Sequence, residues 1–151
     1  MATPFTFTSW LDNHPYSQVT NLSPAYTVSN TFDASEAAVE NGTAILANDV
    51  FQMITVPANT LVYGVRADVV TAEGGTCTFD VGDGATADGY HDGLDGNDAT
   101  VNVFSFDEDG TKTEAFGNGK FYATADTIDI KMMTGTWTAL QVKLTAYMVQ
   151  L

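Results

Sequence analysis

The chain has 151 residues, 19 of them acidic and 5 basic, for a formal net charge of -14, and 44% are hydrophobic. At this length one domain spanning 1–151 is expected, and a compact fold removes about 70% of the surface that the unfolded chain exposes. Such a core argues against a disordered acidic tail, and the shortage of Lys and Arg argues against nucleic acid or an anionic membrane as partner.

The opening MATPFTFTSWLDNHP has neither the basic region nor the continuous apolar region of a secretory leader, and no apolar run approaches the roughly 18 residues of a membrane span. A soluble chain, not obviously exported, is expected. The alternating TFTFT around Phe5 and Phe7 reads as a strand or as part of an extended arm over 1–20. Phe5, Phe7, Trp10 and Tyr16 are candidate anchors on a partner protein or another subunit. Asn21-Leu22-Ser23 and Asn41-Gly42-Thr43 match the glycosylation triplet, which without a secretory leader reads as coincidence.

One short helix is expected next. Asp33-Ala-Ser-Glu36 has capping-box spacing, Ala34, Ala37 and Ala38 form a small apolar face, and Gly42 closes the segment. Everything after it reads as strand. Val, Ile, Thr, Tyr, Phe and Trp supply 57 of the 151 residues, the types that fit a pleated, half-buried surface. VFQMITV (50–56) is apolar on both faces, which predicts a central strand covered on each side, ended by Pro57. In 60–71 alternation places Leu61, Tyr63, Val65, Ala67 and Val69 on one face. In 76–81 it does the same for Cys77, Phe79 and Val81, and Gly74-Gly75 between the two runs predicts a β-hairpin over 60–81. A second hairpin is expected to join Ile128, Ile130 and Met132 to Leu140, Val142, Leu144, Ala146 and Met148, turning near Thr134-Gly135-Thr136. Shorter candidates are 43–47, 100–106 and 120–124. With no segment long enough for a crossover helix, the fold class is all-β: an antiparallel β-sandwich or jelly roll of two sheets.

One stretch stands apart. DVGDGATADGYHDGLDGND (80–98) reads as a long Asp/Gly-rich surface loop, because Asp bonds its own backbone and Gly accepts positive φ. Its carboxylates, Asp83, Asp88, Asp92 and Asp95 foremost, are calcium candidates, since calcium gathers six to eight oxygens. The spacing matches neither an EF-hand nor the nonapeptide calcium repeats, and no other cofactor is suggested.

No enzyme chemistry is indicated. His14 and His91, with the single Cys77, provide no zinc-ligand spacing, and both histidines read as solvated or locally bonded. No G-x-S-x-G and no phosphate loop occurs. Paired aspartates in flexible Asp-Gly turns make a poor general acid and base. Cys77 reads as a small core residue and Trp137 as a core residue closing the core beneath the final hairpin.

The order ITVPANTLVYGVRADVVTAEGGTCTFDVGDGATADGYHDGLD, then KFYATADTIDIKM and LQVKLTAYMV, resembles small capsid-decoration (head cement or head fibre) proteins of tailed bacteriophages. The likeness covers about 50–98 and 118–149, with Gly82-Asp83-Gly84 and Asp88-Gly89-Tyr90 its most distinctive residues. It implies a β-sandwich or jelly-roll subunit, a homotrimer on the outer surface of the virion capsid, bridging major capsid subunits and catalysing nothing. Two rivals stand beside it. One is a tail- or fibre-associated receptor-binding module whose acidic loop holds calcium. The other is a small hydrolase built on two aspartates of 80–98.

Overall fold

A computed structural model describes residues 25–106 and 114–151. Its elements in chain order are β1 (Ala25–Asp33), α1 (Ala34–Asn41), β2 (Val50–Val56), β3 (Thr60–Thr71), β4 (Thr78–Gly82), β5 (His91–Asp95), β6 (Asn102–Phe104), β7 (Lys120–Tyr122), β8 (Asp126–Thr134) and β9 (Gln141–Gln150). They form two antiparallel sheets, as the all-β reading expects. One has the order β1-β9-β3, with β6 and β7 both paired to the far side of β3; the other has the order β2-β8-β4-β5.

The helix forms where the sequence places it. Asp33 accepts from the Ser35 and Glu36 amides at the N-terminus, and Gly42 takes the left-handed conformation (φ 67°) that ends it. Ala34 is buried, and Ala37 and Ala38 pack against the core. The inward faces of both sheets share that core. Trp137 meets the rings of Phe32 and Phe79 edge-to-face, with centroids 5.5 and 6.0 Å apart. Cys77 is fully buried, and burial pushes its thiol up to about 11, with Glu73 and Asp95 adding to the shift.

Neither expected hairpin exists. β3 and β4 lie in different sheets, and so do β8 and β9, so the connections at 72–77 and 135–140 step across the sandwich. Alternation tells which side of a strand is buried; two strands facing each other across a core carry the same pattern as two strands side by side. The Gly135 turn (φ 87°) is packed so closely on the Thr76 carbonyl and Cys77 that a side chain there has no room. The real hairpin is β4–β5, so the Asp/Gly stretch is part strand: residues 83–90 form its connection and His91–Asp95 pairs back onto β4.

Three further expectations change. β2 is an edge strand with Val50 half exposed, because an apolar run does not distinguish central strands from edges. Within β3 the register shifts between Val62 and Gly64, so Thr60 and Val62 point inward while Leu61 and Tyr63 face out. His91 is buried and donates from Nε2 to the Val65 carbonyl at 2.9 Å, joining the two sheets instead of meeting solvent. Of the shorter candidates, 43–47 supplies only the Ile45–Trp137 bridge, 100–106 yields β6, and 120–124 yields β7. The expected N-terminal strand or arm lies outside the described residues.

The two crossings are pinned by one carboxylate. Glu73 accepts from the Thr138, Ala139 and Leu140 amides at 2.8–3.0 Å and from the Thr138 hydroxyl at 2.6 Å. Partial burial pushes its pKa up, but these donors outweigh burial and hold it below its ordinary 4.5. Asp129 stands opposite in sign. It is 5% exposed with Oδ1 unpartnered, and burial, with Asp126 and Asp83 nearby, pushes its pKa up despite a bond from Thr127.

Glu73→Ala is expected to destabilise the fold by about 1–3 kcal/mol in denaturant unfolding at neutral pH. Since the folded-state pKa lies below the unfolded one, that difference is present above pH 4.5 and shrinks as pH falls through the folded value. Asp129→Asn, relieved of a buried charge, is expected to raise the thermal midpoint at pH 7 by about 2–4 °C. A loss of stability in that variant would show that the Asp129 charge is satisfied.

Candidate functional site

The outer face of the five-stranded sheet is the most distinctive surface of the described residues. On β9, Ala146 and Met148 point into the core, leaving Tyr147 and Val149 outside. On β3 the register shift leaves Leu61, Tyr63 and Gly64 on the same outer side. β6 pairs with Arg66–Asp68 and brings Phe104 over Gly64, where any side chain would collide with the ring. β7 pairs with Thr60–Val62 and brings Phe121 beside Leu61.

The aromatic rings on this face are interlocked. Tyr147 lies 6.0 Å from Tyr63 and 5.2 Å, edge-on, from Phe104, which lies 6.3 Å from Phe106. Phe104, Phe106 and Phe121 remain 37, 44 and 50% exposed. A monomer that leaves large rings in water while fixing them against one another presents a ready contact surface. Charge on the face is sparse. Arg66 pairs with Asp68 at 3.0 Å, and Lys143 follows on β9.

A polar knot beside the face holds β7 in place. Asp83 Oδ1 accepts from the Ala85 and Thr86 amides, and Oδ2 accepts from the Lys120 ammonium and, at 2.9 Å, from the Tyr122 hydroxyl. With its proton committed to Asp83, Tyr122 accepts from Tyr90, 3.0 Å away. Burial pushes the Asp83 pKa up, but Lys120, the Thr86 amide, Tyr122 and the Ala85 amide together bring it below the usual carboxylate range. Burial drives both tyrosines the other way, so they stay protonated. Lys120 also sits 4.3 and 4.6 Å above the rings of Phe116 and Tyr122. The knot ties the 83–90 connection to β7, and β7 carries Phe121.

The four aspartates named as calcium candidates are not brought together. Asp83 is turned inward and taken up by Lys120 and Tyr122, and Asp95 accepts from the Asn97 amide. Only Asp88 and Asp92 line a common pocket, with Glu114, of about 220 Å³. Among the described residues no three His, Cys, Asp or Glu side chains are grouped to hold a metal ion. Phe5, Phe7, Trp10, Tyr16 and His14 lie outside the described residues. The sequence reading missed Phe104, Phe106 and Phe121. Their strands are three residues long or end in irregular chain, too short for alternation to reveal a face.

No known protein family matches the chain, and no curated protein is similar to it in sequence. Solved structures do match in shape. A chain in the acidic stable capsid structure of Helicobacter pylori bacteriophage KHP30 superposes with a TM-score of 0.59 at 14% identity, covering 85% of this chain and 89% of that one. A chain of the cyanophage Pam1 capsid asymmetric unit gives 0.62 at 14% identity, covering 100% and 93%. A chain of the capsid of Ralstonia phage GP4 gives 0.62 at 16% identity, covering 99% and 91%. At such identities the likeness establishes a shared fold over nearly the whole length of each chain.

Proposed function

We propose that the chain is a structural component of a bacteriophage virion. In this reading it decorates the outer face of a tailed-phage head and bridges major capsid subunits as an oligomer, a trimer by the family resemblance. The observation that carries it is the fold likeness to chains of three phage capsids, each close to this chain in length because coverage is high in both directions. The sequence resemblance over 50–98 and 118–149 supports the finer assignment to decoration.

Such a protein catalyses no reaction and takes no cofactor. By binding the expanded shell in preference to other states, it adds its binding free energy to that shell's stability. An acid-rich exterior keeps crowded copies soluble and repels packaged DNA. Phe5, Phe7, Trp10 and Tyr16 are the residues proposed to reach capsid or neighbouring subunits. The receptor-module alternative rests on a narrower group, because Asp83 and Asp95 are engaged elsewhere while Asp88 and Asp92 share a pocket with Glu114.

Quantitative mass spectrometry of purified particles is expected to give this chain in a simple ratio to the major capsid protein. Particles stripped of it are expected to release DNA at lower temperature, and replacing the four N-terminal aromatics with serine should prevent rebinding. A handful of copies per particle, or equal melting of stripped and complete particles, sinks the decorating role. Titration of the isolated chain with calcium is expected to give no heat, and melting in calcium and in EDTA to coincide. Stabilisation by calcium would reinstate the receptor-binding module.

A further inference from the structure

We propose that the aromatic outer face of the five-stranded sheet is the surface through which copies of this chain pack against one another. This rests on the oligomeric reading above and assigns that oligomer a face. The first argument is the face itself: Tyr63, Phe104, Phe106, Phe121 and Tyr147 form a band of exposed or half-exposed rings. Contacts among Tyr63, Tyr147, Phe104 and Phe106 already restrict those four rings, so burying them costs little further conformational freedom.

The second argument is charge, and it selects the occupant. Each copy carries -14. On the described strands of this sheet the charged groups are Arg66, Lys120 and Lys143 against Asp33 and Asp68, with Lys120 taken up by Asp83, so the face is close to neutral in a strongly acidic molecule. A basic partner would be drawn to the carboxylate-rich remainder, including Asp88, Asp92 and Glu114 around one pocket. A surface with few carboxylates suits a partner with the same acid excess, and every other copy of the chain has that excess. Turning this face toward a common axis buries the rings and leaves the acidic four-stranded sheet and the 83–90 connection outward.

The full-length chain tests this directly. By light scattering after gel filtration it is expected to run as a multiple of its 16.1 kDa mass. The double variant Phe106→Glu, Phe121→Glu should dissociate at least 100-fold more readily while keeping its far-ultraviolet circular dichroism. Because Cys77 is buried, a single introduced cysteine is the reactive thiol. Phe121→Cys should cross-link copies under mild oxidation, and Thr55→Cys, exposed on the outer face of the other sheet, should not. A wild-type monomer at high concentration, an oligomer that survives both glutamates, or cross-linking through residue 55 but not 121 overturns the proposal. An oligomer with these properties that fails to bind stripped particles overturns the decorating role and leaves this interface standing.

Discussion

Four donors from Thr138, Ala139 and Leu140 converge on the carboxylate of Glu73, and through that contact the two places where the chain changes sheets are bound to each other. The crossings lead from β3 to β4 and from β8 to β9, so the facing of the sheets across Trp137, Phe32 and Phe79 depends on both being held. The glycine turn at 135, seated on Thr76 and Cys77, tightens the same junction. Nearer β7, Asp83 does comparable work, securing the 83–90 connection to β7. Both anchors are acids with pKa values held low by their donors. Part of the acid excess thus serves the fold, through carboxylates bonded to several backbone amides.

The division between the two faces of the sandwich follows from how those acids are spread. On the four-stranded sheet Asp92 and Asp95 of β5 are exposed, while Asp80 and Asp129 lie buried with pKa values raised by burial. The five-stranded sheet instead exposes rings and threonines. A surface rich in carboxylates favours solvent, and one nearly free of them favours contact. The proposed oligomer and the proposed position on a shell use this asymmetry in the same sense.

Much of the fold was legible in the sequence for a physical reason: which side of a strand is buried leaves a period-two mark, and it did so for β4, β8 and β9. The helix was legible because Asp33, Glu36 and Gly42 act locally. Strand partners were not, since the core imposes the same alternation on neighbours within a sheet and on strands facing across it. Hence two hairpins were expected where two crossings occur. The half-turn of phase at Tyr63 was hidden because a bulge conserves composition while exchanging faces. The candidate surface suffered most. It is assembled from β3, β6, β7 and β9, and its rings come together only through pairings between residues far apart in sequence. The Asp/Gly segment was recognised as unusual, but not that Asp83 anchors β7 and that Asp95 and Asp98 bond their own turns.

The position of the last strand has a consequence for synthesis. β9 runs between β1 and β3, pairing Ala25 with Val149 at one end and Asp33 with Gln141 at the other. Until β9 has been synthesised, β1 has no neighbour in its sheet among the described residues, and β3 lacks the strand that carries Tyr147. Contacts of such sequence separation close slowly and late. A chain that stops before Tyr147 therefore displays no complete aromatic face.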